Sequence, residues 1–266
     1  MSLSGLRRSL VSIKTLARAT SAMRVLSMSS SSMIKTEIDT SLNFLTSIEE
    51  IKKEFKIFPK KDSDEKILYV FVGSEKGLCG SYNNELKIEC KKFMNSVFKF
   101  EKDKIIFIGK KLINSLKKIN FSNETIFIEK FSRKNLLEIK EKIILESFFY
   151  SKIIFYYINS KTLFSRSFEK KEIYSDFYFD SKDFYLGNFK NENIINNFLK
   201  IYKSKNITFI LKNALYSEES SRFISMDAAY TNAKKIIKEK EVIYNKIRQS
   251  TITNSSLDLI SNWIEY

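Results

Sequence analysis

Apolar residues recur at steps of three and four along the first part of the chain. From Leu3 the stripe passes through Leu6, Leu10, Ile13 and Ala17, thins at Thr20, Arg24, Ser27 and Ser31, and resumes at Ile34, Ile38, Ser41, Leu45 and Ile48. Nine of these fourteen positions are apolar, which predicts one long amphipathic helix over residues 1–56. No Gly follows Gly5 in this stretch, and Pro59 is expected to end it. A second stripe of the same period runs through Phe223, Met226, Tyr230, Ala233, Ile237, Lys240, Tyr244, Ile247 and Thr251, with only Lys240 out of place. It lies in a segment, 191–262, that lacks Gly and Pro.

Between the two stripes the period changes. Ile67-Leu68-Tyr69-Val70-Phe71-Val72 is a continuous apolar run of strand length, and shorter runs follow at 105–108, 125–128 and 153–158. Helical patterns separate them at about 82–98, 110–118 and 133–148, and 168–179 reads as a further strand. Strands buried on both faces and separated by helices predict an open, mostly parallel α/β sheet over residues 64–190. Such a domain is about 30–35 Å across, whereas the terminal helices would be ~80 and ~100 Å long at the helical rise per residue. Their stripes are then most easily buried against each other. The expected fold is α/β, with a long antiparallel coiled coil of N- and C-terminal helices and an inserted Rossmann-like open α/β domain.

The composition narrows the chemistry. The 266 residues contain no His, which removes imidazole acid/base catalysis and His-bearing metal sites. Cys79 and Cys90 are too few for a disulfide framework or a four-thiolate metal site, and a reducing compartment is the simpler reading. The net charge of +15 suggests an anionic partner, but it is spread along the chain and carried mostly by Lys, as a solvated surface would carry it. No run approaches the length of a membrane span. Residues 1–36 hold ten Ser, six basic residues and no acid, a composition that also fits an organelle presequence. Against that reading, the stripe keeps its period into the mixed-charge helix at 34–48.

Candidate catalytic groups are sparse. Gly73-Ser74-Glu75-Lys76-Gly77-Leu78-Cys79-Gly80 follows a strand and precedes a helix, where a phosphate loop would sit. Its Lys precedes the second Gly, so the plain expectation is a tight turn that needs glycine dihedrals, with Cys79 packed beneath it as a small residue. The neighbouring acids Glu49, Glu50, Glu218 and Glu219 read as solvated surface. Serines at 27 and 29–32, and Ser217, Ser220, Ser221 and Ser225 with Ala228 and Ala229, stand where helix packing would ordinarily ask for Leu. They suggest helices in close approach, or a shaft that fits within a sleeve without gripping it.

Three stretches together resemble the gamma subunit of the rotary ATP synthase, its central stalk. They are the segment from Ser221-Arg222-Phe223-Ile224-Ser225-Met226 through Tyr244-Asn245-Lys246 to Gln249-Ser250-Thr251-Ile252-Thr253, the N-terminal Leu6-Arg7-Arg8 with Thr20-Ser21-Ala22-Met23, and Gly77-Leu78-Cys79-Gly80 with Tyr82-Asn83. They stand in the family's order and span essentially the whole chain. The resemblance implies a non-catalytic shaft inside a ring of alpha and beta subunits, turned by a membrane ring of c subunits with an epsilon (or delta) subunit alongside, and needing no cofactor. It implies that Arg7, Arg8, Met23, Arg222, Gln249 and Thr253 face the alpha/beta ring. It implies that the foot around Tyr178, Asp180 and Tyr185 faces the c ring or epsilon. It also implies a peripheral place on the cytoplasmic face of a bacterial inner membrane, or on the mitochondrial matrix face. The chain starts directly at the family's first helix, so no presequence is expected. Asn254-Ser255 replaces the Gln-Glu usual in the family, and the tail Trp263-Ile264-Glu265-Tyr266 has no counterpart in the family pattern. The alternatives are a basic coiled-coil protein that binds nucleic acid and an α/β enzyme with its site at 73–80.

Overall fold

The structure is a computed structural model that describes residues 2–54, 56–60, 66–96, 102–116, 125–175, 177–179 and 192–264. The chain forms two compact units, one of Ser27–Arg222 and one of Met1–Leu26 with Phe223–Tyr266. Helix α1 covers Leu3–Glu54 and helix α5 covers Glu192–Ile264.

In the first unit, α1 ends at Glu54 and Lys56 takes a left-handed φ of 49°. Pro59 is therefore not what stops the helix. It is the last residue of strand β1, Ile57–Pro59, which pairs antiparallel with β7, Phe177–Phe179. A two-stranded ribbon has only edges, where the missing N–H of Pro is tolerated. The main sheet holds β2 (Ile67–Val72), β3 (Lys104–Ile108), β4 (Ile126–Ile128), β5 (Lys152–Ser160) and β6 (Arg166–Tyr174), in the order β4-β3-β2-β5-β6. The first four are mutually parallel and β6 runs antiparallel to β5. The run 168–179, expected as one strand, is thus split between two sheets.

Alternation along the strands builds two cores. Leu68, Val70 and Val72 of β2, Ile106 and Ile108 of β3, and Ile153, Phe155 and Tyr157 of β5 face one side. There they meet α4 (Leu136–Glu146) through Leu136, Ile139 and Ile143, α1 through Ile34 and Ile38, and α5 through Ile207, Ile210, Leu211 and Ala214. Tyr69, Phe71, Ile105, Phe107 and Tyr156 face the other side, against α2 (Tyr82–Ser96) and α3 (Lys110–Leu116). The sheet therefore recruits long segments of both terminal helices into its core, and the compact unit that contains it reaches well beyond residues 64–190. The ion pair Lys212–Glu37 at 2.9 Å and the Tyr202 hydroxyl donating to Glu49 at 2.8 Å set α1 and α5 antiparallel here.

In the second unit the stripe read from the sequence is the buried face. Leu6, Leu10, Ala17 and Thr20 of α1 are buried, as are Met226 and Ala233 of α5. The Thr20 hydroxyl donates to the Leu16 and Ala17 carbonyls of its own helix, so its burial leaves no polar atom unmet. Lys14–Glu241 at 2.6 Å and Arg24–Asp227 at 2.7 Å again fix an antiparallel pair. Arg24, a polar interruption of the stripe, is accommodated by that carboxylate and by the Tyr230 ring, whose centroid lies 4.8 Å away. The N-terminal stripe is thus packed in the folded chain.

Candidate functional site

The turn at 73–80 is filled by the protein itself. Gly73 donates to the Ile108 carbonyl at 2.8 Å, and a Cβ on Gly73 would come within 2.3 Å of the Leu112 Cβ. Gly73 is thus required for close packing of α3 against the strand end. The left-handed dihedrals fall instead on Leu78 and Gly80, with φ of 64° and 59°. The Ser74 amide donates to Asn83 Oδ1 at 3.1 Å, and the Ser74 hydroxyl donates to the Lys76 carbonyl at 2.8 Å. The amides of Gly73 and Ser74, the first two of the turn, are therefore engaged with the chain. Cys79 is buried, and that burial pushes its thiol above the ordinary value, the reverse of an activated thiolate. Among the described residues no cluster of acids and cysteines could hold a metal ion.

The acids at 218 and 219 are not surface residues. Glu218 is 3% exposed and Arg222 7%. The Arg222 guanidinium donates to Glu218 Oε1, lies 2.8 Å from Glu219 Oε1, and donates through Nε to the Gly77 carbonyl at 3.3 Å. Burial pushes the Glu218 carboxyl up to about 7 and outweighs the opposing pull of the Arg222 charge. The i, i+4 spacing of Glu218 and Arg222 was the available signal for this pair; the small residues Ser217, Ser220 and Ser221 around them, read as sites of close helix approach, were the signal for their burial.

The other residues expected to meet partners stand apart from this cluster. Arg7, Arg8, Met23, Gln249 and Thr253 are all exposed, all in the helical-end unit. Two helical turns from the Lys14–Glu241 pair, the antiparallel register brings Arg7 level with the exposed Arg248, which lies within the C-terminal motif but was not among the residues expected to face the ring. Thr253 lies one turn further along α5 and donates to the Gln249 carbonyl at 3.0 Å. Near Met23 a groove between the two helices has an apolar floor of Ala17, Ala22 and Ile237 and a basic rim of Lys14, Arg18 and Lys234. Beyond Thr251 along α5, Ile252, Leu257, Leu259 and Ile260 are exposed. Tyr178 lies in β7 opposite Phe58, whereas Asp180 and Tyr185 fall outside the described residues.

Comparison with known proteins places this geometry among its relatives. The ATP synthase family pattern matches residues 2–262. The ATP synthase gamma chain of Rickettsia prowazekii is 30% identical, over 96% of each chain. A chain of the Euglena gracilis mitochondrial ATP synthase structure that comprises OSCP, F1 and the c-ring superposes with a TM-score of 0.65 at 15% identity, over 98% of this chain and 93% of that one. The central stalk of the Tetrahymena thermophila mitochondrial ATP synthase superposes with a TM-score of 0.61 at 20% identity, over 79% of this chain and 99% of that one.

Proposed function

The chain belongs to the ATP synthase gamma-chain family, and from that membership we propose how its two units work. The protein is the central rotor shaft of a proton-translocating ATP synthase. It is a mechanical subunit that couples rotation of the membrane c ring to the conformational cycle of catalytic sites on the beta subunits. The observation that carries this reading is the antiparallel pair formed by the two chain ends, narrow along its buried stripe and lined outside with exposed basic and apolar groups. Ala17, Thr20 and Ala233 keep the two helices close. The uncovered Ile252, Leu257 and Ile260 suit a tip that turns inside an apolar sleeve.

Arg7, Arg8, Met23, Gln249 and Thr253 form the proposed contact set toward the alpha/beta ring. Their exposure and shared helical-end unit support it, and basic side chains suit an acidic partner loop by charge complementarity. Arg222 is engaged with internal partners and is left out of that set. Tyr178, Asp180 and Tyr185 are proposed to face the c ring or epsilon, since β7 pairs with the strand that follows α1. No helix among the described residues is long and apolar enough to cross a membrane, so the proposed attachment is peripheral, through the c ring, on the cytoplasmic (or matrix) face. The nucleic-acid alternative finds no support among the relatives.

The experiment is retrieval of the tagged full chain from its native membranes, with the attached proteins identified by mass spectrometry. Alpha, beta, epsilon and c subunits are expected. Recovery of nucleic acid or ribosomal proteins in their place would overturn the reading.

A further inference from the structure

We propose that Glu218 is the positioning residue of a clamp, Glu218–Arg222–Gly77, that fixes the Gly73–Gly80 loop to helix α5, and that ionisation of Glu218 loosens it. Two side chains of α5 reach this loop: Arg222 donates through Nε to the Gly77 carbonyl at 3.3 Å, and the Glu218 carboxyl takes a backbone hydrogen bond from Lys76. The two terminal nitrogens of Arg222 are taken by Glu218 and Glu219, so the orientation of the guanidinium toward Gly77 is set by those two carboxylates. Glu218 is the deeper of the two, and its Oε2 is buried without a hydrogen-bond partner. An ionised carboxylate with one buried oxygen lacking a hydrogen-bond partner is costly to hold away from water.

The groups that face Glu218 come from several elements. Arg222 and Glu219 lie on its own helix, one attracting and one repelling the charge. The Lys76 amide from the loop favours the ionised form, whereas the buried Cys79 thiol and the Tyr82 phenol of α2 lie close enough to feel it. Arg166 of β6 donates to Ser221 at 3.2 Å and acts on Tyr82, and Lys111 of α3 lies against Gly77. Burial is the largest influence, and it holds the carboxyl near neutrality. A group that binds its proton more tightly when the clamp is closed favours closure below that point, and favours opening as it ionises. Opening would let water reach the unpartnered Oε2.

Nothing in this clamp depends on the rotor assignment. If the chain is the shaft, the clamp sets how firmly α5 is joined to the sheet that carries the loop. The test is hydrogen exchange by mass spectrometry on the full chain, from mildly acid to mildly alkaline pH, with each amide's rate corrected for intrinsic exchange. A peptide spanning Gly73–Tyr82 reports the loop, and one spanning Lys104–Ile108 reports the core. The expected result is a severalfold rise in loop opening as pH passes through neutrality, with the core peptide unchanged. Glu218→Gln is expected to hold the loop at its low-pH level throughout. Arg222→Lys, which keeps the charge but loses the Nε bond to Gly77, is expected to raise loop exchange at every pH. A wild-type loop that shows no pH step, a step shared equally by the core, or a step that survives in Glu218→Gln would each overturn the proposal. The wild-type profile decides the matter even if a variant does not fold.

Discussion

The two units of this chain use the same helices in opposite ways. Within Ser27–Arg222, α1 and α5 lie on a five-stranded sheet, and the resulting cores include Val70, Phe107, Ile143, Phe155 and Ile207, all with no accessible surface. Within the helical-end unit the same two helices have only each other. Leu6, Leu10, Ala17, Met226 and Ala233 are covered, while Val11, Leu16, Val25 and Leu26 stand more than half exposed. A two-helix pair can bury one stripe and no more. The contrast teaches that one unit is stable on its own packing, whereas the other leaves apolar surface that a surrounding partner would cover.

The largest test of that contrast lies in the sheet. Phe155 sits in the middle of β5 with no exposed surface. Phe155→Ala is expected to cost about 3–5 kcal/mol through lost burial and the cavity left behind. Denaturant unfolding followed by near-ultraviolet circular dichroism reports it, and an unchanged midpoint would show that the core assignment is wrong. A second test concerns the same unit but acts through pH. The Glu218 carboxyl is held near 7 in the folded chain, against an ordinary 4.5. The folded state then binds the extra proton between these values, so stability falls as pH rises from about 4.5 toward 7. At about 1.4 kcal/mol per unit, the ceiling on this effect is about 3–4 kcal/mol. In Glu218→Gln that component of the stability–pH curve should vanish, and a curve that overlays the wild type would refute the assignment.

Most of the fold was legible in the sequence because its two periods are clean. The buried residues of α1 from Leu6 to Ile48 all fall on the heptad positions, Thr20, Ser27 and Ser31 among them, with Ile13, Arg24 and Ser41 half-buried. The apolar runs at 67–72 and 153–158 became the central strands β2 and β5. What could not be read is where one unit gives way to the other. The stripe of α1 keeps its period from Ala17 to Ile38, although it turns polar at Thr20, Arg24, Ser27 and Ser31 and its neighbours change from α5 alone to α5 with a sheet; periodicity reports a buried face without saying what covers it. The ribbon of β1 and β7 was invisible for a similar reason, since three residues carry no period. At the candidate site, the motif stretches drew attention to Arg222 but not to its burial. Acids on a helix look solvated until the sheet, the loop and α2 close around them, although the serines beside them read as sites of close helix approach.

The helical-end unit is expected to respond to a change in its seam without disturbing the sheet. Ile237 is half-buried and forms part of the groove floor with Ala17 and Ala22. Ile237→Asp places a charge in that seam at a cost of about 1–3 kcal/mol. Far-ultraviolet circular dichroism during heating should then show an early loss of helix, with the near-ultraviolet signal of the stacked Tyr69, Phe71 and Tyr156 unchanged. A single coincident transition for both signals, at the wild-type temperature, would contradict the separate packing of the two units.

The smallest effect is expected at Arg24, where the contrast is sharpest chemically. In the sheet unit an arginine with two carboxylates is nearly sealed from water, and removing Arg222 would leave the buried Glu218 carboxyl without its ion-pair partner, driving it further toward its protonated form. In the helical-end unit Arg24 has one carboxylate and one ring, with side-chain exposures of 31% for the arginine and 47% for Asp227. Water already solvates much of both groups, so the ion pair is screened and its net contribution is small. Arg24→Ala is therefore expected to cost under about 1 kcal/mol, even with the ring contact included, and to lose most of that cost in concentrated salt. Thermal unfolding of wild type and variant at low and high ionic strength separates the contributions. A difference that persists undiminished in salt would mean that Arg24 is held mainly by packing on Tyr230, so that the pair of helical ends is joined there by an apolar contact rather than by charge.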